Sequence, residues 1–122
     1  MKQHPILLIN FLLALTIFSC KEDPSRHLNL GNWYLQKGLL DEAIIEYREV
    51  SRLYSGDKSG LSRDEYQTLG KAHFKLAIVY TKKEWWDYAL TEARKSFEIL
   101  PNKESYELVD LIEAKIEQGI EL

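Results

Sequence analysis

Apolar positions along the chain fall into two regimes. Residues 6–18 form an almost unbroken apolar run, interrupted by Asn10 and Thr16, and it stops abruptly at Lys21-Glu22-Asp23-Pro24. Folded as a buried helix, this run would be hydrophobic on every side, with no face for solvent. Its 13 residues suit the apolar core of an export signal. They fall short of the ~20 that span a bilayer. Beyond it, apolar residues recur every three or four positions, which is the helical period, and strand-like alternation is absent.

That period, read with its start and stop signals, predicts five helices. Asp23-Pro24 opens the first, with Asp as N-cap and Pro in the first turn, where its missing N–H costs nothing. This helix carries Leu28, Leu30, Trp33 and Tyr34 and stops at Lys37-Gly38. The second covers about 40–54, with Ala43, Ile44, Tyr47, Val50 and Leu53 in helical register. Residues 55–60 read as loop from their Ser, Gly and Asp content. Ser62-Arg63-Asp64-Glu65 is a capping box that opens the third helix, which passes Leu69, Phe74, Leu76, Ala77 and Tyr80 and ends near Lys83. The fourth covers about 87–100 and is stopped by Pro101. The fifth covers about 103–118, with Leu108, Leu111, Ile112 and Ile116 on one face. The expected fold class is all-α.

Composition narrows the partners. The 45% hydrophobic content is inflated by the N-terminal run; without residues 1–19, 103 residues remain, enough for one modest core. The prefix holds Lys2 and no acid, so the remainder has a net charge of −4 against −3 for the whole chain. A mildly acidic domain with no basic patch does not fit nucleic acid. Low-complexity stretches are missing, which argues against disorder. Cys20 is the single cysteine, so the fold holds without an internal disulfide.

The apolar run closes with Thr16-Ile17-Phe18-Ser19-Cys20. This resembles the lipobox of bacterial lipoproteins. Ile17 is the apolar residue three before the cysteine and Ser19 the small one directly before it; Phe18 is larger than the pattern usually has. The resemblance implies cleavage before Cys20, a diacylglyceryl group on its thiol and often a palmitate-like chain on the new amine. Residues 1–19 are then a signal peptide and 20–23 the lipidated residue with a short tether. Two acyl chains anchor a protein stably, at ~0.8 kcal/mol per buried CH₂. The implied location is the bacterial cell membrane or outer membrane, and the covalent lipid is the only cofactor-like group expected. Without lipidation, the same residues are an ordinary secretory signal, or an uncleaved anchor with an incidental cysteine.

Two stretches of the remainder are alike. Leu30-Gly31, Tyr34, Leu40 and Ala43 correspond to Leu76-Ala77, Tyr80, Trp86 and Ala89. Both resemble the tetratricopeptide repeat, a helix–turn–helix of about 34 residues. Small residues Gly31, Ala43, Ala77 and Ala89 would let paired helices approach, and Tyr34, Tyr80 and Trp86 would fill the space between them. The resemblance implies an α-solenoid fragment: repeats over about 24–57 and 70–103 and a capping helix over about 103–118, all within one domain spanning 24–122. His27 and His73 stand where the family often has Trp, Ser55 replaces the first repeat's closing Pro, and a 12-residue insertion, 58–69, separates the repeats. Two repeats is below the usual minimum of three.

The chemistry-bearing residues point to binding rather than catalysis. His27 and His73 read as packing residues, since no third metal ligand lies at useful spacing. Residues 56–60 contain Gly, Lys and Ser but not in the order of a phosphate-binding loop. The acids are expected on solvated faces beside Lys and Arg, with no nucleophile–base arrangement. In tetratricopeptide families the first helix of each repeat lines a peptide-binding groove. By repeat position the groove residues are Leu28, Asn32, Leu35 and Gln36, then Lys71, Phe74, Ile78 and Lys82. With only two repeats, Leu28, Leu35 and Ile78 serve equally well as core. Trp85 falls at a usually exposed turn position, as a partner contact, a membrane-interface anchor or a ring partly buried against Tyr88. The expected function is a non-enzymatic, lipid-anchored interaction module of the cell envelope, with another envelope protein or a peptide as partner. The alternatives are a surface lipoprotein contacting host or environment, and a carrier of a small apolar ligand.

Overall fold

The computed structural model describes residues 22–120; the expected signal peptide, 1–19, and Cys20 lie outside the described residues. Among the described residues the fold is all-α, with helices α1 (Pro24–Gln36), α2 (Leu40–Leu53), α3 (Arg63–Lys82), α4 (Trp86–Ile99) and α5 (Lys103–Ile120). A 3₁₀ turn, Lys58–Gly60, sits in the long α2–α3 connection. No helix of the described residues is long and apolar enough to cross a membrane.

Local chemistry sets most boundaries. The Asp23 carboxylate accepts from the Ser25 N–H at 3.0 Å and caps α1, with Pro24 in the first turn. Ser62 and Glu65 form the reciprocal capping box of α3. Asn102 Oδ1 accepts from the Ser105 N–H at 2.8 Å and opens α5, while Ser105 Oγ donates to Leu100 O at 3.0 Å and ties α5 to the end of α4. Helix α5 runs two residues beyond the expected 118.

The turns α1–α2 and α3–α4 are one structure built twice, 46 residues apart. In the first, Leu39 N–H donates to Tyr34 O and Gly38 N–H to Leu35 O; in the second, Trp85 N–H donates to Tyr80 O and Glu84 N–H to Thr81 O. This is the six-to-one, five-to-two closure of a Schellman motif, which needs a left-handed residue after the cap. Gly38 supplies it at φ 73°; Glu84 is held there at φ 59°. A side chain in the left-handed region costs ~1–2 kcal/mol, which glycine avoids.

Each turn folds its helices back into an antiparallel pair. Arg52, near the end of α2, reaches Glu22 at the start of α1, and Ser96 in α4 donates to Gly70 O in α3. Helix α3 also packs on α2 and α1, and α5 closes over α4. One core runs through all five helices, from Leu28 in α1 through Tyr47, Val50, Leu76, Val79 and Ala93 to fully buried Ile112 in α5.

Helix approach in the first hairpin depends on a missing side chain. A Cβ on Gly31 would lie 2.6 Å from the Tyr47 ring. In the second hairpin the corresponding residues are Ala77 and Ala93, both fully buried. Gly31→Ala should therefore destabilise by ~1–3 kcal/mol through overpacking. In the Tyr47→Ala background the added methyl should cost much less, read as coupling in a urea-denaturation cycle. Equal cost in both backgrounds would refute the close contact. At the turns, Glu84→Gly should raise stability by up to ~1 kcal/mol and Gly38→Glu should lower it by a similar amount, measured as opposite shifts in Tm.

Candidate functional site

Two hollows carry the candidate chemistry. The smaller, about 260 Å³, lies between α1 and α3 and is closed by the α4–α5 junction; Leu28, Asn32, Lys71 and Phe74 line it together with Lys75 and Leu100. Four of the eight groove positions thus meet in one place. Leu35 is half-buried against the core, and Ile78 is half-buried; Gln36 and Lys82 are exposed, and none of these four lines the hollow. Leu28 serves both roles, since it is also a buried member of the core.

The polar wall of this hollow combines the donors Asn32, Lys71 and Lys75 with one carboxylate, Glu104. Tyr47 donates its hydroxyl to Asn32 Oδ1 at 2.7 Å, which leaves the Asn32 amide N–H groups free to face a ligand. Burial pushes the Tyr47 hydroxyl up to about 12, so it stays a donor at any physiological pH. Lys71 and Lys75 form no ion pair among the described residues. An apolar floor with amide and ammonium donors and one carboxylate suits an extended peptide, whose backbone carries both carbonyl acceptors and N–H donors.

The larger hollow, about 750 Å³, lies at the other end of the helices, around the α3–α4 turn. Ile44, Tyr80, Trp86 and Ile116 form its apolar part, and Arg48, Glu84, Asp87 and Lys115 its charged rim. Trp85 is 46% exposed and Tyr88 65%. Trp85 stacks on Tyr80 at 5.9 Å between centroids and tilts against Tyr88 at 6.2 Å, while Lys83 Nζ lies 4.4 Å from its centroid. Lys83 also holds Asp41 of α2 at 2.5 Å. Trp85 is therefore partly buried against Tyr80 and Tyr88, with about half of its surface open.

The expectation that the acids lie on solvated faces fails at two positions. Glu46 is bonded to His27 Nδ1 at 2.6 Å and Glu92 to His73 Nδ1 at 2.5 Å, and His73 is only 3% exposed. Each pair spans 19 residues and joins the two helices of one hairpin. The signal was present in the sequence, because both His and both Glu recur at equivalent repeat positions. Among the described residues no three His, Cys, Asp or Glu side chains converge on a metal-sized space. No family model, curated protein or solved structure matches the chain.

Burial works to raise the Glu92 carboxyl, but the hydrogen bond and charge of His73, helped by Lys95, outweigh it and hold the group below its usual value of 4.5. A depressed carboxyl stabilises the fold above the unfolded pKa, and this is lost as pH falls through the folded one. Glu92→Gln should cost ~1–3 kcal/mol near pH 6. The gap between the urea midpoints of wild type and variant should close as the pH drops below 4.5. A gap unchanged down to pH 3 would mean that the carboxylate charge contributes nothing.

Proposed function

We propose that the chain is a bacterial lipoprotein, anchored through lipid on Cys20, whose tetratricopeptide-like domain is a non-catalytic protein–protein interaction module of the cell envelope. The observation that carries this reading is the meeting of Leu28, Asn32, Lys71 and Phe74 in one hollow between α1 and α3. Those positions were singled out by repeat register alone. The twice-built turn and the repeated His–Glu pair support an internal duplication of the same kind.

The partner is an extended segment of another envelope protein, received in the hollow between α1 and α3. A carrier of a small apolar ligand would need an enclosed apolar chamber. Here the larger hollow opens beside exposed Trp85 and Tyr88 and is rimmed by four charged side chains, which favours a macromolecular partner. Only Lys21 and Glu22 lie between Cys20 and Asp23, so the tether reaches on the order of 10–15 Å and holds the start of α1 near the membrane.

Two measurements test the reading. Cys20→Ser should move the chain from the membrane fraction to the soluble one or leave an uncut precursor, and mass spectrometry of wild type should find lipid on residue 20. A photo-cross-linking amino acid at Phe74 should give a discrete protein adduct in intact membranes, whereas the same group at exposed Ile45 should not. Lipid-free Cys20 would refute the anchor, and adducts no stronger from position 74 than from 45 would refute the groove.

A further inference from the structure

The internal duplication shows what the outer face of α1 lacks. Asp23, Arg26, Leu30, Trp33 and Lys37 step by three and four along one side of α1. The corresponding stripe on α3 is Leu69, Ala72, Leu76, Val79 and Lys83. There the first four are at most 2% exposed, closed over by neighbouring helices, and the lysine is tied to Asp41 of α2. On α1 the stripe is half-buried at Leu30 and exposed at Asp23, Arg26, Trp33 and Lys37. Trp33 is 49% exposed, and Arg26 and Lys37 make no ion pair among the described residues. Lys37 lies 5.8 Å from the Trp33 ring centroid, as Lys83 lies over Trp85. The face has the form of a helix–helix interface, and no other helix of the described residues covers Trp33 on it.

Its charge order identifies the missing helix. Read from the N-terminal end, the stripe is acid, cation, apolar, aromatic, cation. Turned through a two-fold axis at Leu30, it meets itself antiparallel. Asp23 then faces Lys37 of the second copy, Arg26 faces its Trp33, and Leu30 faces Leu30. Opposite charges meet at both ends, each cation beside a ring gains a cation–π partner, and the centre is apolar. The partner's Asp23 gives Lys37 the carboxylate that Asp41 gives Lys83 within the chain.

We propose that two copies of the chain pair through α1, antiparallel across a two-fold axis at Leu30. One 13-residue helix is only ~20 Å long, so the pair buries less than the ~800 Å² per partner of a typical stable dimer. The association is weak in dilute solution and relies on the high local concentration of chains held on one membrane. In that respect it rests on the anchor reading.

Cross-linking in the native membrane tests the pairing. Full-length chains carrying Leu30→Cys and two different epitope tags are co-expressed and treated with a short bismaleimide. The expected product is a dimer containing both tags, several-fold above that from the unsubstituted chain or from Ile45→Cys, whose residue is 65% exposed on α2. Adding Lys37→Glu should lower the dimer fraction several-fold. Adding Asp23→Asn as well, which keeps a capping side chain, should recover part of it. A dimer yield from Leu30→Cys no greater than from Ile45→Cys overturns the proposal, as does indifference to Lys37→Glu. Fractionation of the same cells shows whether the chain is on the membrane. If it is not, the anchor reading fails separately, and the same cross-linking on concentrated purified chain decides the pairing by the same criteria.

Discussion

Gly31 lets the Tyr47 ring lie directly on the backbone of α1, and the hairpin closes around that contact. Once the helices are that close, the Tyr47 hydroxyl occupies Asn32 Oδ1, and Asn32 lines the hollow between α1 and α3. Packing inside the hairpin therefore orients a donor on its outside. The second hairpin reaches the same end with two small residues, Ala77 and Ala93, and has no phenol in that place. The two hairpins share a backbone plan, yet only the first can aim a polar group by this route.

The His–Glu pairs add direction to a core that would otherwise be apolar. Dispersion contacts tolerate small slides of one helix along another, whereas a hydrogen bond between ring nitrogen and carboxylate forms in one register. His27–Glu46 and His73–Glu92 set that register in each hairpin at the same place. The second pair is the more buried, because α3 and α4 have neighbours on both sides while α1 is the first helix of the stack.

The ends of the stack differ in kind. Helix α5 closes one end by placing Ile112 and its neighbours over α4. The other end is α1, with Trp33 in the open. The α3–α4 turn, with Glu84 in a left-handed conformation beside Trp85, lies at the far end of the helices from the start of α1. Its counterpart turn has Gly38, Leu39 and Leu40 where the second has Glu84, Trp85 and Trp86, so the paired tryptophans belong to the second hairpin alone.

The sequence by itself determined the five helices and where they stop. Caps such as Asp23-Pro24 and Ser62–Glu65 act within one turn, and apolar period is a property of neighbouring residues. It also showed the likeness of the two hairpins, and four of the eight positions chosen from that likeness line the smaller hollow. Tertiary structure decided everything that depends on distance between helices. Glu46 and Glu92 read as surface acids because nothing local distinguishes them from other helical glutamates; their partners lie 19 residues away, across a turn. The hollow around Trp85 is invisible in sequence because its walls come from α2, the α3–α4 turn and α5. Trp33 and Val79 hold the same register position, and only the stacking order of the helices leaves one exposed and buries the other.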